Sequence, residues 1–173
     1  MILRLAACAA IMLGCGYLGI LFASGFKARV RQIGEFTAAL SQLEFDIDFL
    51  NITVRESFEK IARNSPSDIA CIFSYVAERM EEERCVKTEK LWERAIRINR
   101  SELFLTDSDT AILADFSKNL GCGSRDNEIN NIRAAIMRLK LAEEEARAEA
   151  SGNVKMYRGL GLLCGVFLVI VLL

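Results

Sequence analysis

The chain has no histidine, a single proline and a single tryptophan among its 173 residues. Without histidine, a serine–histidine or cysteine–histidine nucleophile cannot be built. A mixed cysteine–histidine zinc site is excluded by the same gap. One proline and eleven glycines leave little material for turn-rich β structure. Six cysteines stand at 8, 15, 71, 85, 122 and 164, and none forms a CxxC pair. That spacing supports neither a disulfide framework nor a metal knuckle. They read as free thiols, packed as small apolar residues in a reducing compartment. A basic excess is missing too. Between Lys27 and Arg158 stand 21 basic and 23 acidic side chains, a balance that argues against a nucleic-acid surface. Gly121-Cys122-Gly123-Ser124 lacks the lysine and spacing of a phosphate loop. Glu81 to Glu83 and Glu143 to Glu145 are consecutive, so on a helix they point to different sides and do not converge on a metal or a scissile bond. No catalytic residue, cofactor or metal is expected.

Charge is also missing from both ends. Leu5 to Phe26 carries none, and neither does Gly159 to Leu173. The first run matches the roughly 20 residues needed to cross a bilayer. A cleaved signal peptide would want a shorter apolar core. A lipoprotein signal is hinted at by Leu5-Ala6-Ala7-Cys8 and by Met12-Leu13-Gly14-Cys15, but the first sits too early and the second matches poorly. An uncleaved transmembrane helix is therefore the expectation. The chain divides as a short tail at 1–4, a membrane helix at 5–26, a helical domain at 27–158 and a second membrane helix at 159–173. Lys27, Arg29 and Arg31 follow the first run, and Lys155 and Arg158 precede the last. By the positive-inside rule, these charges put the domain in the cytoplasm and both termini outside.

What is present between the ends is helical periodicity. Val30, Ile33, Phe36, Leu40, Leu43, Ile47 and Leu50 recur at steps of three and four, which marks one buried helix face. Glu35, Glu44, Asp46 and Asp48 are expected on its exposed side. Ile129, Ile132, Ile136, Leu139 and Ala142 form a matching stripe near the other end, opposite a highly charged face. Shorter helices lie between. Thr53 and Glu56 fit a capping box. Ser65-Pro66 reads as cap and first helical residue, with Ile69, Ile72, Phe73, Val76 and Met80 inward. Thr88 opens the next helix, with Leu91, Trp92, Ala95, Ile96 and Ile98 inward. Trp92 is taken as a core anchor. Thr106 with Asp109 caps another, carrying Ile112, Leu113 and Phe116, and it stops at Leu120-Gly121. Ser124 or Asp126 caps the last.

The fold class is all-α: a bundle of about six helices flanked by N-terminal and C-terminal transmembrane helices. Both long stripes must approach the same membrane surface, so the first and last long helices are expected to be antiparallel neighbours. A helical domain hung between membrane helices, without catalytic groups, reads as a docking or assembly component. Its far end would join Leu50–Thr53 to the turn Gly121–Asp126, where Arg125, Asp126 and Glu128 could steer a charged partner. A lipid-anchored helical protein and a membrane signalling protein are the competing classes.

Residues scattered over nearly the full length carry a family resemblance. They include Leu40-Ser41-Gln42-Leu43-Glu44, Glu56 and Phe58 with Ile61-Ala62, and Leu91-Trp92 with Ala95-Ile96. Leu113 through Phe116 to Leu120-Gly121, Asp126, and Met156-Tyr157-Arg158 with Leu160-Gly161 and Gly165 complete them. In this layout the chain resembles the stage III sporulation protein AB family of endospore-forming bacteria. It departs from that pattern at Ile52-Thr53-Val54, where a proline-containing turn is usual, and at Cys122 to Asp126. The resemblance implies a helical cytoplasmic domain similar to that of the platform protein of type II secretion and type IV pilus systems. It also implies a place in the transenvelope complex between mother cell and forespore, in the mother-cell membrane around the forespore. The implied partners are the secretion-type ATPase, a stage III sporulation protein AA, and other components of the same complex; further copies of the chain are a candidate partner apart from the resemblance. The implied role is structural coupling without catalysis.

Overall fold

The structure is a computed structural model. It describes the backbone of residues 2–83, 85–118, 120 and 124–172, and the side chains of 24–83, 85–118, 120 and 124–152. Six helices follow one another: α1 (Ile2–Asp48), α2 (Val54–Asn64), α3 (Ser67–Glu82), α4 (Thr88–Ile98), α5 (Asp107–Lys118) and α6 (Arg125–Leu172). No strand occurs among the described residues. The apolar ends are the outer lengths of α1 and α6. Among the described residues no helix is long and apolar enough to cross a membrane. The segments read as membrane-spanning, 5–26 (but for its last three residues) and 159–173, lie outside the described side chains.

Two compact units result. One comprises Met1–Val30 with Glu145–Leu173, the other Arg31–Glu144. In the first, Arg29 and Glu149 form an ion pair at 2.7 Å between α1 and α6.

The second unit holds the core, and the stripes read from the sequence build it. Ile33, Phe36, Leu40, Leu43 and Ile47 of α1 are buried, as are Ile129, Ile132, Ile136, Leu139 and Ala142 of α6. Here α1 and α6 run antiparallel. Arg133 meets Glu44 at 2.5 Å. Ten residues back along α1 and ten forward along α6, the Glu143 carboxylate lies 3.4 Å from where a Cβ on Gly34 would stand. Between them α2 to α5 supply an aromatic centre. Trp92 packs against Phe58, Phe73 and Phe116 with ring centroids 5.6, 5.2 and 5.7 Å away. Phe73 also meets Phe58 at 5.2 Å and Phe36 at 6.3 Å. Edge-to-face and tilted pairs at these spacings add to the burial of each ring. Trp92 is thus the anchor the sequence suggested, although its Nε1 finds no acceptor among the described residues.

The caps explain where the short helices begin. Thr53 Oγ1 accepts from the Glu56 N–H at 3.3 Å, and Glu56 Oε2 accepts from the Thr53 N–H at 3.2 Å. Thr106 and Asp109 exchange the same pair of bonds at 3.3 and 2.9 Å. Before α3 the expectation is off by one residue. Pro66 is the N-cap and Ser65 closes α2 in an extended conformation. Pro66 itself has φ −57° and ψ 153°, outside the helical region, so the helix begins at Ser67 and the Pro66 carbonyl accepts the Ala70 N–H at 2.8 Å.

Other expectations need correction. The first helix stops at Asp48, short of Leu50, which is about half exposed. Asn51, at φ 54°, turns the chain through the left-handed region that asparagine tolerates better than most residues. Ile98 is exposed, while Met80 and Ile112 are only half-buried. Ile98 is the last residue of α4, where the helix leaves the core. Cys71 and Cys85 are exposed free thiols, not buried ones. Cys71 sits between the inward Ile69 and Ile72 on the outer side of α3, and Cys85 lies in the α3–α4 connection. Asp46 is not on the exposed side of α1. It is completely buried, and Glu35, Glu44 and Asp48 are half-buried.

Candidate docking surface

The end of α1 and the start of α6 come together, as the antiparallel reading requires. Ser124 precedes α6, and its carbonyl accepts the Glu128 N–H at 3.1 Å. Asp126 and Glu128 therefore lie in the first turn, where carboxylates complement the positive end of the helix. Asp126 is exposed and Glu128 half-buried.

Arg125 makes contacts within the bundle that the sequence did not suggest. Its guanidinium donates to the side-chain oxygen of Asn51 and to the backbone carbonyl of Asp48. It also lies 3.9 Å from the Asp48 carboxylate. The last carbonyls of a helix have no partner within it, and Arg125 fills that need for α1 from the opposite helix. It is a clasp across the two chain segments, and only its remaining surface is open to a partner. About two helical turns further, Arg133 reaches Glu44 and, at 3.4 Å, Asp48. The hydrogen bond to Glu44 pushes the Arg133 guanidinium still higher than its ordinary value. Arg133 belongs to the highly charged face of its helix, and its pairing with α1 was not legible there, since ion pairing across helices has no local signature.

Beside this clasp the surface is apolar. Phe49 is 70% exposed, and it stacks on Phe45 with ring centroids 5.2 Å apart. Leu50 is also exposed. Large exposed rings in a cluster mark interaction surfaces more often than scattered single residues do. The end of the bundle thus offers two phenylalanines and a leucine next to Asp126 and Glu128.

Two buried polar groups hold α1 in register and were not legible from spacing. Asp46 accepts from Gln42 Nε2 at 2.7 Å, Ser57 Oγ at 2.8 Å and Lys60 Nζ at 2.7 Å. Burial alone would push its carboxyl up. The hydrogen bonds from Lys60, Ser57 and Gln42, with the Lys60 charge, outweigh that and hold it below the usual carboxylate range. Gln32, also fully buried, donates to Asp68 and to the Glu102 carbonyl, both at 2.9 Å, and accepts from the Phe104 N–H at 2.8 Å. One amide thereby ties α1 to α3 and to the α4–α5 connection. Ser57 and Lys60 stand one helical turn apart, but Ser57 is sealed from solvent and its hydroxyl is committed to Asp46. This cluster is structural. Among the described residues no group of three or more histidine, cysteine or carboxylate side chains could hold a metal ion.

Comparison with known proteins agrees with this architecture. Residues 4–173 match the family model described as Stage III sporulation protein AB. Stage III sporulation protein AB of Bacillus subtilis (strain 168) is 26% identical over 171 residues, which covers 99% of both chains. A solved structure of Stage III sporulation protein AB (SpoIIIAB) superposes with a TM-score of 0.66 at 23% identity. It covers 72% of this chain and 97% of the solved one, and that likeness speaks for the fold. With a family match running almost from end to end, the chain belongs to the stage III sporulation protein AB family.

Proposed function

We propose that this sporulation protein is a non-catalytic docking component of the complex linking mother cell and forespore, and that it couples to the secretion-type ATPase of that complex. In this reading 5–26 and 159–173 are membrane helices, the domain faces the mother-cell cytoplasm, and the membrane is the one surrounding the forespore. The observation that carries the docking role is the exposed Phe45–Phe49 stack with Leu50, set beside Asp126 and Glu128 at one end of the α1–α6 pair. Apolar anchors next to acidic side chains suit a partner that is steered electrostatically and held by burial.

The test is binding of the full chain, in detergent, to the purified stage III sporulation protein AA-type ATPase. Phe49→Ala and Asp126→Arg are each expected to weaken binding at least tenfold while leaving the helical circular dichroism intact. Arg125 is unsuitable for this purpose because its loss unclasps α1. Unchanged affinity in both variants removes this surface as the docking site. Complete extraction of the protein by carbonate, or labelling of an engineered cysteine near residue 100 from outside the cell, overturns the topology.

A further inference from the structure

A recess of about 230 Å3 lies between α1 and the α2–α3 turn, and it belongs to no surface described so far. Ala39, Ile61 and Pro66 give it apolar walls, and Glu35, Asn64 and Ser65 give it polar ones. Glu35 is the unusual member. Its side chain is four-fifths buried, and Oε2 is shielded from solvent without a hydrogen-bond partner among the described residues. Its other oxygen lies 3.5 Å from Arg31. That arginine is already committed to Asp68 at 2.9 Å, and Asp68 takes the Gln32 amide as well. Two carboxylates therefore share one guanidinium, and the closer contact goes to Asp68. Burial, which Arg31 only partly offsets and Asp68 adds to, pushes the Glu35 carboxyl above the usual carboxylate range. A half-buried acid left in this state costs stability unless something supplies it with donors.

The geometry points to a receptor for a lysine side chain of a partner protein: an ammonium group set against Glu35, with its methylene stem along Ala39, Ile61 and Pro66. An ammonium brings three donors and no acceptor. It finds acceptors in the Glu35 carboxylate, the Asn64 amide oxygen and the Ser65 hydroxyl. A lysine stem packs on apolar walls while its head seeks polar ones. The terminal torsion of glutamate is broad, so the carboxylate can turn its shielded oxygen towards an entering cation. A guanidinium pairs best with both oxygens of a carboxylate, and Oε1 of Glu35 already faces Arg31, so the single remaining oxygen, with the Asn64 and Ser65 oxygens, favours the compact ammonium. This site is built from residues other than those of the ATPase-docking end, so the two readings can fail separately.

The experiment is a titration of the full chain in neutral detergent with n-butylammonium chloride at constant ionic strength, followed by NMR. Saturable shifts confined to residues near 35–42 and 61–66 are expected. Glu35→Gln should weaken binding at least tenfold. Ala38→Leu, at an exposed position lining the recess, should block it without altering the fold. Shifts that fail to saturate, or that persist in Glu35→Gln, overturn the assignment. Tighter binding of n-propylguanidinium than of n-butylammonium overturns the choice of lysine.

Discussion

Around Trp92 the rings of Phe58, Phe73 and Phe116 meet with scarcely a polar atom between them. Near the end of α1, Asp46 is equally sealed and yet receives three hydrogen bonds. The first region gains stability from area and shape and tolerates one unpartnered indole N–H. The second tolerates no loss of a partner, because a buried charge has no water to fall back on. A third group, Asp115, is on the surface with Lys118 at 2.8 Å and Arg138 at 3.6 Å. The Lys118 hydrogen bond holds the Asp115 carboxyl below its ordinary range, as donors do at Asp46. The direction of the shift is the same, but only at Asp46 does it accompany burial. Comparing these regions separates what charge does in the interior from what it does at the surface.

The sharpest way to break the comparison is Trp92→Ala. Removing a fully buried aromatic at the meeting point of three rings should cost about 3–5 kcal/mol, read as a lowered denaturation midpoint by circular dichroism. Asp46→Ala comes next, at about 2 kcal/mol, since it leaves the fully buried Ser57 hydroxyl without its acceptor. A cost as small as that of a surface pair would show that the network is not held rigidly. Its pH signature distinguishes it from the aromatic core. The folded carboxyl is depressed, so its contribution is complete above the unfolded value of about 3.9 and is lost as pH falls through the folded value. Asp46→Asn should flatten stability across that acidic window, whereas Trp92→Phe should leave the profile's shape unchanged. Thr53→Ala should cost about 1 kcal/mol by removing half of the α2 capping box. Asp115→Asn should leave the midpoint unchanged within error, because exposed pairs exchange one set of solvated partners for another.

The aromatic centre was readable from the chain because each of its members recurs at helical spacing. Phe58, Phe73, Trp92 and Phe116 each lie on the apolar face of a helical segment, and the caps at Thr53 of α2 and Thr106 of α5 stand three residues before their acidic partners. Asp46 was misread for the same reason. An aspartate between Phe45 and Ile47 looks like the polar side of an amphipathic helix, and its donors Ser57 and Lys60 belong to a different element. Of the candidate site, Asp126 and Glu128 lie where expected, at the opening of a helix. Arg125 became a clasp once the end of α1 was brought against it, a contact across more than seventy residues of sequence. Phe45 and Phe49 drew no attention beforehand, because an exposed aromatic differs from a buried one only in what the fold places over it.

By itself the sequence determined the helices, the caps of α2 and α5, the stripes that face the core and the family to which the chain belongs. These follow from local backbone chemistry and from the period of apolar residues along one segment. Tertiary structure alone decided which acids would be buried and with whom, that Arg125 would close the end of α1, and that Glu35 would share its arginine with Asp68. Such pairings depend on which faces meet, and the free energy of a charge depends on the water it has lost as well as on its neighbours in the chain.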